Sequence, residues 1–105
     1  MSGHCLELVV FKVKNPEDAC KARRAAQDCV KHYDGFLSWT AYEDAEGSGT
    51  FADIVSWRDL SCAKAAAKRV VHDPGFKAIM AEIDGLITMG HYTPDRTVMT
   101  ARKAA

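Results

Sequence analysis

The segment CLELVVFKVK, within a strand read from about His4 to Lys14, carries apolar side chains on both sides of the pleat. Leu6, Leu8 and Val10 point one way and Val9, Phe11 and Val13 the other, because successive side chains alternate across a strand. A strand of this kind belongs in the centre of a sheet that is covered on both faces. The rest of the chain must supply its neighbours and its cover, and 105 residues allow one domain with a single core.

Directly after that strand, Asn15 offers an N-cap, Pro16 the first helical position, and Glu17 and Asp18 negative charge for the first turn. Ala19, Ala22, Ala26, Cys29, Val30 and Tyr33 recur at helical spacing, so that face packs on a sheet while Lys21, Arg24, Gln27 and Lys31 face water. Asp34-Gly35 ends the helix. A second strand runs from Phe36 to about Asp44, AEGSG turns, and TFADIVSW returns as the third strand of a hairpin. Asp59 caps a second helix with a stripe of Leu60, Ala63, Ala67, Val70 and Val71, and Asp73-Pro74 starts a short helix carrying Phe76, Ile79, Met80 and Ile83. Leu86 to Tyr92 make a fourth strand, and a polar tail follows from Pro94.

The order βαββαβ is the split βαβ of the ferredoxin-like α+β fold, a four-stranded antiparallel sheet with helices on one face. Right-handed crossovers put strands one and three in the centre and strands four and two at the edges. The expected division is a domain over 1–93 and a tail over 94–105. The second face of the sheet has no cover from this chain, and fourteen basic side chains cancel fourteen acidic ones, so the expected partner is a second copy docked sheet to sheet. The same charge balance speaks against nucleic acid and anionic membrane as partners. The start MSGHCLELVV lacks a basic segment followed by an apolar run of signal-peptide length, and no apolar run approaches the ~20 residues of a membrane span, which reads as a cytoplasmic protein. Cys5, Cys20, Cys29 and Cys62 lack the CxxC pairing of zinc or redox sites and read as buried or half-buried thiols.

Three stretches resemble the dimeric α+β barrel superfamily, and within it the antibiotic-biosynthesis monooxygenase-like group. They are a Trp closing the third strand and followed at once by a helix (SWRDLSCAKAAAKRVV), an Asp-Pro with a Phe soon after (HDPGFKAIMAEI), and a last strand ending in His-Tyr (LITMGHYTP). The resemblance covers roughly residues 4 to 93. It implies a homodimer of facing sheets, with a pocket for a small organic molecule between sheet and helices. Some relatives oxygenate aromatic polyketides without metal or flavin, some degrade haem, and many have no assigned reaction. The haem-degrading pattern looks like an Asn in the first strand and a Trp and His near the second helix. Here the first strand has no Asn, Ala66 to Met80 holds no Trp, and its one His, His72, precedes Asp73-Pro74.

The oddity among the strands is Asp53, a carboxylate between Phe51, Val55 and Trp57 on one side of the third strand. With the turn centred on Gly47-Ser48, Tyr42 falls opposite or diagonal to it and its phenol can donate a hydrogen bond. On the helix side Asp53 lines a pocket as a base of raised pKa; on the other side it is an interface residue. His4, Phe36, Trp57 and His91 gather at one rim, where an imidazole can serve as a base near neutral pH, but the two histidines lack a third metal ligand. The same register puts Trp39 and Trp57 on opposite faces, and Met80 and Met89 suit an adaptable apolar pocket. Asp53, His91 and Tyr42 are thus the candidate catalytic residues, and Trp57, Trp39, His4, Phe76 and Met80 the candidate ligand contacts. The expected function is binding of an aromatic or polyketide-like molecule, with oxygenation by a cofactor-free, metal-free site. The alternatives are a non-enzymatic dimeric module that holds or senses a metabolite and a structural dimer without a ligand.

Overall fold

Local signals and strand pairing produce the expected order. The computed structural model describes residues 4–101, so the first three residues of the expected domain and the last four of the expected tail lie outside it. The elements are β1 (Cys5–Val13), α1 (Pro16–Val30), β2 (Phe36–Glu43), β3 (Thr50–Trp57), α2 (Leu60–Val70), a 3₁₀ turn (Pro74–Phe76), α3 (Lys77–Glu82) and β4 (Ile83–Tyr92). The sheet is antiparallel with order β2-β3-β1-β4, and β1 is central as its two-sided apolar pattern requires.

The caps act as read. The Asn15 side chain accepts from the Asp18 N–H at 2.9 Å, and Asp59 accepts from the Cys62 N–H at 2.8 Å. Beyond α2, Asp73 accepts from the Gly75 N–H at 2.9 Å and, through its other oxygen, from the Tyr33 hydroxyl at 2.6 Å. That bond fastens the start of the 3₁₀ turn to the end of α1. Burial, then the Asp73 carboxylate, push the Tyr33 phenol up to about 12. A Cβ on Gly75 would overlap the Cys29 Sγ, so only glycine allows this turn to lie so close to α1.

Two elements differ from the sequence reading. β4 begins at Ile83, three residues early, because Ile83 pairs with Val13 and the Lys14 N–H donates to the Glu82 carbonyl at 2.9 Å. α2 buries Cys62, Ala63 and Ala66 and leaves Leu60 and Val71 exposed, a rotation of the expected stripe toward the smaller residues. The four thiols are free, with Cys5 and Cys62 buried and Cys20 and Cys29 half-buried. No helix among the described residues is long and apolar enough to cross a membrane.

The helices all lie on one side of the sheet. Cys5, Phe11 and Val13 of β1 and Phe51, Val55 and Trp57 of β3 are buried against them. Leu6, Leu8 and Val10, with Ala52 and Ile54, share the other face and remain half-exposed. At the rim, Trp57 pairs with both Cys5 and Phe36, and the Phe36 and Trp57 rings meet edge to face at 5.7 Å. Gly35 sets this corner. Its φ of +78° is left-handed, its carbonyl accepts from the Arg58 N–H at 2.7 Å, and a Cβ there would collide with the Cys62 side chain. Gly35→Ala is therefore expected to cost about 1–3 kcal/mol of stability in urea unfolding; an unchanged midpoint would contradict this reading of the corner.

Candidate active site

The sheet and the helices do not close on one another everywhere. Between them lies a cavity of about 320 Å³, walled on the sheet side by Glu7, Val9, Trp39, Asp53 and Trp57. Ala66, Ala67 and Val70 of α2 and Phe76, Ile79 and Met80 close the opposite wall, and Leu86 and Met89 flank it along β4. Small residues on α2 create the space: where alanines face a sheet, aromatic side chains from the sheet occupy part of the gap and leave the remainder open.

Asp53 projects into the helix side of the sheet, which settles the alternative left open by the sequence. Its partner is not Tyr42. Arg23 of α1 donates from Nη1 to the Asp53 Oδ1 at 3.1 Å and to the Tyr42 carbonyl at 3.1 Å, and both charged side chains are only 7% exposed. The guanidinium also lies 4.1 Å above the Phe51 ring centre. Burial pushes the Asp53 carboxyl above its ordinary range, opposed by the Arg23 charge. The Trp39 indole N–H also favours the charged carboxylate, yet it lies outside hydrogen-bonding geometry and its Nε1 is buried without a partner.

The displaced Tyr42 follows from a one-residue register difference. The hairpin turns about Gly47 alone, with Asp44 bonded to Thr50, rather than between Gly47 and Ser48. Asp53 then faces Ala41, and Tyr42 faces Ala52 on the far side of the sheet, where it is exposed. The same shift corrects the tryptophans: Trp39 pairs with Val55, so it shares the helix-side face with Trp57 and both line the cavity. Phe76, whose ring tilts against Trp39 at 6.4 Å, and Met80 line it too. His4 is exposed ahead of β1 and lines no part of it. His91 lies on the helix-side face beyond the cavity wall, opposite Glu7.

Sequence reasoning passed over two polar residues, Glu7 of this wall and Arg23 behind it. Arg23 falls between Ala19 and Ala26 on the buried face of α1, a position that only a paired charge can occupy. Glu7 shares strand parity with Cys5, Val9 and Phe11, the same signal that singled out Asp53. Its Oε1 accepts from the Trp57 Nε1 at 2.9 Å. Burial raises the Glu7 carboxyl, while the Trp57 bond and then the His91 imidazole favour its charged form. No three His, Cys, Asp or Glu side chains among the described residues converge as a metal site.

Removing one partner of the Arg23–Asp53 pair strands a buried charge. Asp53→Ala is expected to lose about 3–5 kcal/mol in denaturant unfolding, whereas Arg23→Met with Asp53→Leu recovers most of that loss. A single variant as stable as the parent would show that the pair is not buried as described. For Glu7 the sign runs the other way from an ordinary salt-bridged carboxylate: its pKa is raised on folding, so its contribution is present at low pH and lost as pH rises through that raised value. Glu7→Gln should accordingly gain thermal stability relative to the parent as pH rises beyond the ordinary glutamate range of about 4.3, and a pH-independent difference would contradict the shift.

No family model and no curated protein matches the sequence. Solved structures do. SnoaB, a cofactor-independent oxygenase from Streptomyces nogalater, aligns with a TM-score of 0.77 at 18% identity over 92% of this chain and 98% of its own. The ActVA-Orf6 monooxygenase of Streptomyces coelicolor, in complex with nanaomycin D, aligns at 0.70 and 17% identity over 94% of each chain. A conserved protein from Methanosarcina mazei aligns at 0.65 and 12% identity over 90% of this chain and 95% of its own. The chain has the ferredoxin-like α+β fold shared by antibiotic-biosynthesis monooxygenase-like proteins.

Proposed function

We propose that the protein binds a small aromatic, polyketide-like compound in the helix-side cavity and oxygenates it with O₂ without a bound cofactor. The observation that carries this is a mainly apolar cavity of about 320 Å³ whose sheet wall alone bears two carboxyl groups, Glu7 and Asp53. That volume is at the small end of ligand pockets, suited to a compound of two or three fused rings. Trp39, Trp57 and Phe76 offer flat faces for such rings. The structural neighbours support the chemistry, since one is described as a cofactor-independent oxygenase and another holds a small organic ligand.

The reaction needs little from the protein beyond positioning and a base. Loss of a proton from an acidic C–H conjugated with a ring carbonyl leaves a delocalised carbanion, which gives electrons to O₂ and forms a C–O bond. The resulting hydroperoxide loses water as its O–O bond breaks. In sum, a CH₂ group and O₂ become a C=O group and H₂O, a four-electron oxidation of the substrate that requires no other reductant. Proximity in a dry cavity and a carboxylate within reach are the two contributions this site can make. Asp53, held to Arg23, is assigned to orient the substrate by accepting from a ring hydroxyl. Tyr42, on the far face, takes no part. His91, set behind Glu7, acts from outside the cavity.

A second copy is assigned to the open sheet face, supported by the half-exposed Leu6, Leu8, Val10 and Ile54 and by exposed Tyr42 and Tyr92. The exposed Val98 and Met99 beyond β4 fit packing of the tail on that copy.

Anthrone, with one acidic CH₂ between two rings, tests the reaction, and 1,8-dihydroxyanthraquinone tests binding through quenching of the two cavity tryptophans. Chelator-treated, flavin-free protein is expected to consume O₂ with anthrone above the buffer rate. Ala67→Trp, which fills the cavity from α2, should weaken quinone binding at least roughly tenfold, the loss of about 1.4 kcal/mol. Quenching without O₂ uptake would instead fit a module that holds or senses a metabolite, a reading favoured by Asp53 being already paired with Arg23. Absence of both would reject the cavity as a ligand site.

A further inference from the structure

The two cavity carboxyls have different counter-ions. Asp53 is locked to a guanidinium, which does not give up or accept a proton in the working range. Glu7 has no guanidinium or ammonium partner among its described contacts. One oxygen accepts from the Trp57 indole at 2.9 Å, and the residue directly opposite it on β4 is His91. The imidazole lies close enough to favour the Glu7 anion, and its buried Nε2 has no hydrogen-bond partner. Cavity, carboxylate and imidazole are thus in sequence from the apolar interior toward the edge strand of the sheet.

We infer that Glu7 is the proton acceptor of the proposed reaction and that His91, paired opposite it, is its positioning residue. This rests on the oxygenase reading above. In the first step the substrate C–H bond breaks, its electron pair stays on carbon, and the proton goes to the Glu7 carboxylate. In the second the Glu7 proton goes to the peroxide anion formed when the carbanion adds O₂, which restores the carboxylate and gives the hydroperoxide. No reactant besides the substrate and O₂ is needed for either step. Asp53 remains a fixed anion beside Arg23 throughout, so two carboxyls on one wall hold two roles set by their surroundings.

The charged and titratable groups around Glu7 define what its pH dependence reports. Cys5 lies on the same strand and face. Asp53, backed by Arg23, lies on β3 one pair away from the residue opposite Glu7, and its negative charge and that of Glu7 repel. β4 contributes His91, whereas α2 turns Ala63 and Ala66 toward this wall. Among the described residues His91 is therefore the basic side chain set directly across from Glu7, and removing it should make Glu7 harder to ionise.

The test uses the full chain in three forms: parent, Glu7→Gln and His91→Gln. Glutamine keeps an acceptor for the Trp57 indole, so the fold and quinone binding should persist. Anthrone-dependent O₂ uptake by Glu7→Gln is expected to fall roughly 10²–10⁴-fold while 1,8-dihydroxyanthraquinone binding stays within a factor of two or so of the parent. His91→Gln should move the acidic limb of the rate profile to higher pH, an effect that a purely structural role would not produce. Carboxyl ¹³C NMR of glutamate-labelled protein reads the pair without turnover: the signal lost in Glu7→Gln should titrate above the other glutamates in the parent and higher still in His91→Gln. Glu7→Gln turning over at near-parental rate would overturn the acceptor role and leave the oxygenase reading intact. A Glu7 signal that titrates with the other glutamates, or ignores His91→Gln, would overturn the pairing. A parent enzyme with no O₂ uptake would end both the reaction and the acceptor role, even with the NMR shift present.

Discussion

The Arg23–Asp53 ion pair is the constraint on which the rest of this structure depends. It joins α1 to β3, and through the second Arg23 bond to the Tyr42 carbonyl it holds β2 as well. A helix and a hairpin that would otherwise meet through side-chain packing alone are fixed in depth around one guanidinium. A buried pair of this sort adds little net stability over an apolar replacement, but it strongly penalises any arrangement that separates the charges. Asp53 can face only the helix side, and the hairpin can sit only in the register that puts it there.

That geometry also explains the cavity. The Arg23 guanidinium packs on Phe51 and holds the Asp53 carboxylate, so the sheet wall carries a polar group at a position where an apolar side chain would otherwise extend the Phe11–Phe51 packing. At the other end, Trp57 spends its indole N–H on Glu7 and its ring on Phe36. Opposite this wall α2 offers mainly alanines. The space between is apolar in volume and polar at two points, which is the combination that orients a flat ligand rather than merely dissolving it.

The fold was legible in the sequence because its signals are local and redundant. Asn15-Pro16, Asp59 and Asp73-Pro74 each cap an element through their own side chains, and the two-sided apolar pattern of β1 requires a central position. Asp53 was also legible as out of place. Its partner was not, because a strand face is decided by turn geometry: a loop centred on Gly47 rather than one half-step later exchanges Tyr42 for Ala41 and brings Trp39 round beside Trp57. Arg23 was masked by neighbouring Arg24, since two adjacent arginines on a helix look like one solvated edge until the sheet claims one of them. Glu7 was hidden by a strand apolar enough to make its one acid seem incidental. What sequence periodicity lacks in both cases is the identity of the partner across the layer, which only packing supplies.

The central claim is that the helix-side cavity is the ligand site and that its sheet wall meets the ligand through carboxylates. A crystal structure of the protein with 1,8-dihydroxyanthraquinone tests it most directly. The account requires the ring system between the sheet and α2, against Trp39, with an oxygen-bearing edge toward Glu7 and Asp53. A quinone bound on the open face of the sheet, or a cavity closed by inward movement of Trp39 and Met80 with no ligand in it, would contradict it.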